Sequence, residues 1–308
     1  MSRSSRTSWS RRDFLECAAL ASLAPALSAA AQDTTMRTRE IPGSGELLPV
    51  IGLGTYDVFD VAGTAHELAE RNAIVELLLD KGGSLIDTSP MYNRSERILG
   101  SVLDVSGRRA DTFLATKVWT NGLEAGVAQM TRSAELMRTD VIDLMQVHNL
   151  RDLDTQIGTV REWQQDGRIR YSGITHYRES AFDAMEVAMR RHRPDFIQIN
   201  YSLGERAADE RLLPLAADMG IAVLINRPYQ AGALFSKVRG QELPDWAREF
   251  AASWGQFFLK YIISHPAVNC AIPATSKPQH MADNLGAGFG NLPDTAMRRR
   301  MLNHYLSL

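Results

Sequence analysis

Gly52-Leu53-Gly54-Thr55-Tyr56 follows the first buried strand that the sequence predicts, and this turn decides between two α/β architectures. An open sheet that binds a dinucleotide carries a third glycine after such a turn, and the chain then continues directly into a helix. Here the third glycine is missing, and no helical pattern follows at once. The turn therefore disfavours the open sheet and favours a closed barrel of parallel strands.

Outward from this turn, short apolar strands recur at intervals of roughly 25 to 30 residues, which is typical of repeated strand–helix units. The predicted strands are Val50–Leu53, Ser84–Asp87, Thr112–Lys117, Val141–Val147, Arg170–Ile174, Phe196–Asn200, Ala222–Asn226 and Val268–Ile272. The predicted helices are His66–Asp80, Ser95–Leu103, Leu123–Met137, Thr155–Asp166, Ser180–Arg191, Arg206–Met219 and Trp246–Ser264. This alternation predicts an α/β fold, a (β/α)8 TIM barrel formed as one domain by residues 32–308. A short N-terminal hairpin is expected from Arg37 to Leu48, around Gly43-Ser44-Gly45.

The composition excludes several classes of protein. The chain has 34 basic and 36 acidic residues among 308, so no broad basic face for nucleic acid is expected. Its 44% of hydrophobic residues suffices for a large core. The only cysteines are Cys17 and Cys270, which excludes a disulfide framework and a cysteine-rich metal site.

Residues 1–31 have the pattern of a twin-arginine signal peptide. Arg11-Arg12 precedes a weakly apolar run from Ala18 to Leu27, and the small residues Ala29-Ala30-Ala31 predict cleavage after Ala31. The run is about half the ~20 residues that span a bilayer, so no membrane anchor is expected. We expect the twin-arginine export machinery to carry the folded protein to the periplasm. In the alternative, the arginines are incidental and the protein stays in the cytoplasm.

Three successive strands of the predicted barrel end in ionisable side chains. Asp87 ends the second strand, Lys117 ends the third and His148 follows the fourth. The carboxyl ends of the strands meet at one rim of a barrel, where active sites are built. A lysine buried at that rim is costly unless it is paired, and Asp87 is the obvious partner. No spacing of metal ligands accompanies these residues, so no metal is expected.

Tyr92, five residues after Asp87, gives this rim a proton donor. A buried ammonium beside a phenol favours the phenolate, so Lys117 is expected to lower the pKa of Tyr92. His148 is expected to hydrogen-bond a carbonyl oxygen and orient it. The sequence offers no Ser-His-Asp or Cys-His arrangement that could attack the carbonyl carbon. A hydride from a nicotinamide would supply that attack.

With their spacing, these four residues resemble the Asp-Tyr-Lys-His catalytic tetrad of the aldo-keto reductase superfamily. The resemblance extends over nearly the whole mature chain and includes Gly173-Ile174-Thr175-His176-Tyr177, Gln198-Ile199-Asn200-Tyr201 and the stretch from Ile272 to Asn284. It implies an NAD(P)H-dependent oxidoreductase that reduces an aldehyde or ketone to an alcohol. The hydride would come from NADPH and the proton from Tyr92. The implied partner is a small-molecule carbonyl substrate, and no oligomeric state is implied.

The resemblance also implies which residues hold the cofactor. Thr175, His176 and Gln198 would bind the nicotinamide carboxamide, and the stretch Thr275–Asn284 would bind the adenosine 2′-phosphate and adenine. The full implied set is Thr55, Asp87, Thr175, His176, Gln198, Arg227, Thr275, Ser276, Lys277, His280 and Asn284. Tyr56 and Trp119 would wall the substrate pocket. The stretch Pro228–Pro244 is expected as a loop that closes over the cofactor.

Several positions depart from the family pattern. Thr175-His176 replaces the usual Ser-Asn, although both residues can still hydrogen-bond an amide. Asn226-Arg227-Pro228 stands where many members place an aromatic residue against the nicotinamide, so the stacking residue is left open. Ala274 and His280 replace a Lys and an Arg of many NADPH-preferring members, and Lys277 is a candidate to compensate. NADPH is therefore expected first and NADH second.

Two alternatives from other functional classes stay open. One is a non-catalytic regulatory barrel that binds a nucleotide, and the other is an aldolase that forms a Schiff base through Lys117. The site residues also have structural alternatives, in which Asp87 caps a turn, His148 is a core histidine, and Tyr92 and Trp119 are rim aromatics. Loss of nicotinamide absorbance with a carbonyl substrate would separate the reductase from both other classes.

Overall fold

The computed structural model describes residues 35–308, so the predicted signal peptide and Cys17 lie outside the described part of the chain. Strands β1 to β10 are Thr38–Glu40, Leu47–Pro49, Leu53–Gly54, Leu85–Asp87, Phe113–Val118, Ile142–His148, Ile169–Thr175, Phe196–Asn200, Ala222–Asn226 and Cys270–Ala271. Helices α1 to α11 are Ala65–Asp80, Ser95–Ser106, Leu123–Met137, Leu153–Gln165, Phe182–His192, Ala207–Glu210, Leu212–Met219, Ala233–Lys237, Trp254–Ile263, Pro278–Gly286 and Thr295–Ser307. Within residues 35–308, no helix combines the length and the apolar character needed to cross a bilayer.

Strands β3 to β10 form one eight-stranded parallel sheet in which each strand pairs with the next along the chain. Two isolated parallel bridges, Ile51 with Ala271 and Gly54 with Ala274, join the region of the first strand to that of the last. Helices follow the strands in alternation, which is the order that the sequence predicts. The curled sheet of eight parallel strands therefore matches a (β/α)8 fold.

The glycines of the turn Gly52–Tyr56 are required by the packing of neighbouring strands. A Cβ atom at Gly52 would lie 2.8 Å from the carbonyl oxygen of Leu85, in β4. A Cβ atom at Gly54 would lie 2.8 Å from the carbonyl oxygen of Ile272, just after β10. No side chain fits at either position without a shift of the backbone, so the glycines allow the first strand to lie between its two neighbours.

The predicted hairpin is present as the antiparallel pair β1 and β2, with Arg39 opposite Leu48. Ile41 and Leu48 are buried, and they pack in one cluster with Leu85, Leu144 and other side chains of the strands. The hairpin thus adds two apolar side chains to the interior of the sheet.

Several predicted bounds are confirmed by the structure. Strands β8 and β9 and helix α3 begin and end at the predicted residues. The predicted helix Trp246–Ser264 is wrong in its first part, because α9 begins only at Trp254. Ser253 has an extended backbone there, and its Oγ atom accepts a hydrogen bond from Gln256 N at 3.0 Å. This cap fixes the start of the helix eight residues later than predicted.

Two further predictions need correction. The predicted helix Arg206–Met219 is divided into α6 and α7 at Arg211, whose backbone angles are φ −142° and ψ −63°. The stretch Pro228–Pro244, which is expected as a loop without regular structure of its own, contains the five-residue helix α8. Leu234 of that helix is completely buried. This stretch is therefore anchored to the core by an apolar side chain.

Candidate active site

Asp87 and Lys117 form a buried ion pair at the carboxyl ends of β4 and β5. Lys117 Nζ donates to Asp87 Oδ2 and to Thr88 O, both at 2.7 Å. The other carboxylate oxygen, Asp87 Oδ1, accepts from Gln198 Nε2 at 2.7 Å and from Gln146 Nε2 at 3.2 Å. Burial is the largest single effect on Lys117 and lowers its pKa, but the charge of Asp87 and the contact with Tyr92 together outweigh it and leave that pKa above its usual value. The predicted pairing is confirmed, and the lysine stays an ammonium.

Thr55 supports the backbone of this pair. Its N–H and its Oγ1 hydroxyl both donate to the carbonyl oxygen of Asp87 at 3.0 Å. Thr55 is completely buried. The structure thus places this predicted cofactor residue behind the strand end, where its hydroxyl is already engaged with Asp87.

Tyr92 ends a short 3₁₀ helix, Pro90–Tyr92, whose first turn is capped by Ser89. The turn places the centroid of the Tyr92 ring 4.9 Å from Lys117 Nζ. Burial raises the pKa of Tyr92, and the nearby ammonium of Lys117 offsets only part of that effect, so the net pKa lies above its ordinary value. Lys117 thus acts on the pKa of Tyr92 in the predicted direction, but the expectation of a net lowered pKa is wrong. Loss of water around the phenol outweighs the attraction of one cation.

His148 ends β6 as a buried, neutral imidazole. Its burial, followed by the charge of Lys117, lowers the pKa of His148 to about 3. Ser89 Oγ lies 3.1 Å from His148 Nδ1, and it also accepts a hydrogen bond from Met91 N at 3.2 Å. Since Ser89 Oγ accepts there, its own hydrogen can be donated to Nδ1. This pattern favours the tautomer that carries its hydrogen on Nε2, a donor for a further oxygen.

Aromatic rings flank the phenol and the imidazole. The Tyr92 and His148 rings are nearly perpendicular, with centroids 6.1 Å apart. The Tyr56 ring lies 5.1 Å from that of Tyr92, and the Trp119 ring lies 6.3 Å from that of His148. Tyr56 is 52% exposed, which places it at the edge of this group. The structure therefore brings the two predicted substrate-pocket residues beside the predicted tetrad.

The ends of β7, β8 and β9 carry buried polar side chains next to Asp87. Thr175 Oγ1 donates to Gln198 Oε1 at 3.2 Å, and Asn226 Nδ2 donates to the same oxygen at 3.4 Å. Asn200 and Asn226 lie opposite each other in the register of β8 and β9. Their Oδ1 atoms are buried and have no hydrogen-bond partner within the described chain. Buried acceptors are normally satisfied, so these two oxygens are suited to an incoming donor such as a primary amide.

His176 and Arg227 are connected through Tyr177. The Nδ1 atom of His176 accepts from Arg178 N at 3.2 Å, and its ring stacks on Tyr177 with centroids 5.6 Å apart. Burial, followed by the charge of Arg178, lowers the pKa of His176. The Arg227 guanidinium lies 5.7 Å from the Tyr177 ring centroid. Tyr177, Arg178 and Arg227 line a surface pocket of about 330 Å³ together with Asn200.

The predicted phosphate-binding stretch lies at the amino end of α10. Lys277 is the residue that precedes this helix, and Thr275 Oγ1 accepts a hydrogen bond from its N–H at 3.1 Å. The side chains of Lys277 and His280 are exposed, and Ser276 is half-buried. Backbone N–H groups and the helix dipole favour anions at such a position. The structure therefore brings Thr275, Ser276, Lys277 and His280 to one helix end.

Asn284 joins this helix to the chain after β9. It is buried, and its Oδ1 atom accepts from the Tyr229 hydroxyl at 2.6 Å. Burial, followed by the charge of Asp283, raises the pKa of Tyr229 well above its usual value, so the phenol keeps the hydrogen that it donates. The side-chain nitrogen of Asn284 is the atom left for a ligand.

Most of the chain matches one known protein family. The model of the aldo/keto reductase family matches residues 50–300, a range that contains Asp87, Tyr92, Lys117 and His148. The chain belongs to the aldo/keto reductase family. The match begins just before the turn Gly52–Tyr56 and extends into α11.

This aldo/keto reductase is similar to several bacterial proteins. Aldo-keto reductase YhdN of Bacillus subtilis is 31% identical over 206 residues, which cover 61% of this chain and 60% of YhdN. The uncharacterised oxidoreductase YqkF of the same organism is 26% identical over 290 residues, which cover 82% of this chain and 91% of YqkF. A crystal structure of an aldo/keto reductase from Klebsiella pneumoniae in complex with NADP and acetate is 24% identical with a TM-score of 0.74. It covers 89% of this chain and 95% of its own, and it shows the same fold.

Three residues of this aldo/keto reductase site were missed by the sequence reasoning. Gln146 could have been found, because it lies two residues before His148 on one strand and so points to the same face. Ser89 and His148 are 59 positions apart, and Tyr229 and Asn284 are 55 apart. No local pattern indicates either contact, because each depends on how the loops fold over the strand ends.

Proposed function

We propose that this aldo/keto reductase is an NADPH-dependent oxidoreductase that reduces an aldehyde or ketone to an alcohol. The observation that carries the proposal is the set of groups around Tyr92. A buried ammonium, Lys117, lies 4.9 Å from its ring centroid, and the neutral imidazole of His148 lies 6.1 Å away between centroids. This combination of a phenol, a cation and a hydrogen-bond donor suits the protonation of a carbonyl oxygen.

The described residues fit a nicotinamide cofactor. The unpartnered Oδ1 atoms of Asn200 and Asn226 match the two hydrogens of a carboxamide, and Gln198 lies beside them. Lys277, at the amino end of α10, is placed to bind a phosphate. When bound, the cofactor supplies the hydride that reduces the carbonyl carbon. The crystal structure of the Klebsiella pneumoniae relative with NADP supports NADPH as the first choice.

The raised pKa of Tyr92 supports this residue as the proton donor. Its raised pKa keeps the phenol protonated at neutral pH, so it carries a transferable hydrogen on Oη. As negative charge develops on the substrate oxygen, Tyr92 donates that hydrogen, and the ammonium of Lys117 stabilises the resulting phenolate. Asp87 holds Lys117 in position at 2.7 Å. His148, neutral at this pH, would donate from Nε2 to the same substrate oxygen and orient it.

The aldolase alternative is disfavoured by the state of Lys117. A Schiff base requires a neutral amine that is free to attack a carbonyl. Lys117 instead has a raised pKa, and its ammonium donates to Asp87 and to the carbonyl oxygen of Thr88. The non-catalytic regulatory barrel is disfavoured by the intact set of Asp87, Tyr92, Lys117 and His148, which a protein without turnover has no reason to keep.

A screen of aldehydes, ketones and quinones with NADPH and with NADH tests this proposal. We expect carbonyl-dependent loss of nicotinamide absorbance, with a higher kcat/KM for NADPH. The variant Lys277→Met should narrow the preference for NADPH, because it removes a cation that a 2′-phosphate would contact. Absence of turnover with every carbonyl class would contradict the proposal. A borohydride-trapped substrate adduct on Lys117 would instead establish the aldolase.

We also propose that the protein is exported. The support is the Arg11-Arg12 pair followed by a short apolar run and Ala29-Ala30-Ala31. The twin-arginine route carries folded proteins, so the cofactor would be loaded in the cytoplasm before transfer to the periplasm and cleavage near Ala31. The alternative is a cytoplasmic enzyme that draws on the ordinary cofactor pool.

A further inference from the structure

Arg151 lies in the loop between β6 and α4, three residues after His148. Its backbone N–H donates to the carbonyl oxygen of His148 at 3.1 Å, which fixes the turn that follows the strand. The side chain is half-buried. Arg151 is therefore an arginine held at the same rim as the imidazole of the proposed reaction.

The guanidinium of Arg151 is held by neutral groups. It lies 4.9 Å from the centroid of the Trp119 ring, and its Nε atom donates to Asn121 Oδ1 at 3.0 Å. No Asp or Glu of residues 35–308 forms an ion pair with it. The carboxylate next to it in sequence, Asp152, is engaged elsewhere, because it accepts from Gly122 N at 2.7 Å and from a threonine hydroxyl at 2.9 Å. The two Nη groups of Arg151 thus keep their hydrogens for another acceptor.

Trp119 connects this cation to the tetrad. Its ring is contacted by the guanidinium and lies 6.3 Å from the ring of His148. Arg151 is therefore one aromatic ring away from the group that would orient the carbonyl oxygen. A planar guanidinium binds a carboxylate through two parallel hydrogen bonds, and a cation without a protein counterion favours an anionic ligand.

We infer that Arg151 is a substrate-binding residue that selects carbonyl compounds bearing a carboxylate. The inference rests on the proposed function and names the substrate class of the same site. The carboxylate pairs with the Nη groups of Arg151 and the carbonyl oxygen lies at Tyr92 and His148. The part of the substrate between them packs along the ring of Trp119.

The test compares two aldehydes that differ in charge and hardly in shape, 4-formylbenzoate and 4-formylbenzamide. Steady-state reduction with NADPH is measured for the parent protein, Arg151→Met and Arg132→Met. Arg132 pairs with Glu135 on the exposed face of α3, so its variant controls for the loss of one arginine. We expect the parent to prefer the carboxylate. Arg151→Met should reduce the ratio of the two kcat/KM values by about tenfold to a hundredfold, chiefly through KM, and Arg132→Met should preserve it.

Two further measurements keep the inference testable if Arg151→Met fails to fold. Arg151→Lys keeps the charge and loses the two-pronged geometry, so it should show an intermediate ratio. Calorimetric titration of the parent should show tighter binding of 4-(hydroxymethyl)benzoate than of 4-(hydroxymethyl)benzamide. Equal ratios in the parent and Arg151→Met, or a parent that reduces both aldehydes without preference, would overturn this inference alone. A parent that reduces no aldehyde overturns the proposed function, and the inference with it.

Discussion

Ser89 Oγ and His148 Nδ1 lie 3.1 Å apart, and this contact favours one of the two neutral tautomers of the imidazole. Ser89 Oγ accepts from Met91 N and still has its own hydrogen, so we assign it as the donor toward Nδ1. The hydrogen of the neutral ring is thereby left on Nε2. Ser89 also caps the turn that carries Tyr92. One turn therefore positions the proposed proton donor, Tyr92, and orients the ring of His148.

Ser89→Ala should remove the preference of His148 for the tautomer with its hydrogen on Nε2. We expect the ¹⁵N spectrum of His148 to change from hydrogen on Nε2 to a mixture of both tautomers, and kcat/KM to fall by about fivefold, which corresponds to the ~1 kcal/mol of one hydrogen bond. Ser89→Thr keeps the hydroxyl and is the matched control. A variant whose tautomer and kcat/KM both equal those of the parent would show that Ser89 does not orient His148.

Lys117→Met should move the alkaline limb of the pH profile for reduction to higher pH. Reduction needs a protonated phenol, so activity is lost as the pH rises through the pKa of Tyr92. Burial raises that pKa and Lys117 lowers it, so removal of the ammonium raises it further. Turnover should also fall, because the phenolate loses its cation. Asp87→Asn keeps the lysine side chain but removes the carboxylate that offsets its burial, so it should lose less activity than Lys117→Met. Parent-like pH profiles in both variants would contradict the pairing.

Much of the fold could be predicted because strands and helices alternate with clear punctuation. The bounds of β8, β9 and α3 agree with the sequence pattern, and the ion pair of Lys117 with Asp87 follows from the cost of an unpaired buried lysine. The start of α9 was placed too early. Trp246 does lie in a short 3₁₀ helix, but Ser253 begins the α-helix, and a propensity pattern does not distinguish these two turns.

The pKa of Tyr92 could not be predicted, because it is a balance of two opposing effects. The sequence indicates a cation nearby, and the structure shows that burial of the phenol is the larger effect. The contacts of Arg151 with Trp119 and Asn121 were likewise inaccessible, since they join residues about 30 positions apart in different loops. Sequence patterns locate such loops without fixing where their side chains meet.

The lowered pKa of Lys260 predicts that the free energy of unfolding increases as the pH rises. Lys260 is buried, and its Nζ atom donates to the carbonyl oxygens of Phe289 and Asn291 at 2.5 and 2.8 Å. Burial, followed by the charge of Arg37, lowers its pKa from 10.5 to about 8. Between these two values the unfolded chain binds a proton that the folded protein does not, so this lysine contributes stability that increases from about pH 8 to pH 10.5.

Urea unfolding of the parent and Lys260→Met at both ends of this pH range measures the effect. The difference in unfolding free energy should shift in favour of the parent as the pH rises, because the variant lacks the titrating amine while both proteins share every other group. A difference that is independent of pH would show that Lys260 has the same pKa in the folded and unfolded states.

Replacing Arg11 and Arg12 together by lysine tests the export proposal. The double variant keeps the charge and loses the arginine pair that the twin-arginine route requires. Cell fractionation should find the parent in the periplasm, shortened near Ala31, and the variant at full length in the cytoplasm. A variant that reaches the periplasm at the same processed size as the parent would contradict export by this route.

The most direct test of the proposed reaction is single-turnover reduction of an aldehyde by NADPH in the parent and in Tyr92→Phe. The substitution removes the transferable hydrogen and leaves Lys117, His148 and the amide side chains of Gln198, Asn200 and Asn226 in place. We predict that the rate constant falls by about 10²–10⁴-fold, while the affinity for NADPH, measured by fluorescence titration, is little changed. A folded Tyr92→Phe variant that reduces the aldehyde at the parental rate would contradict the assignment of Tyr92 as the proton donor.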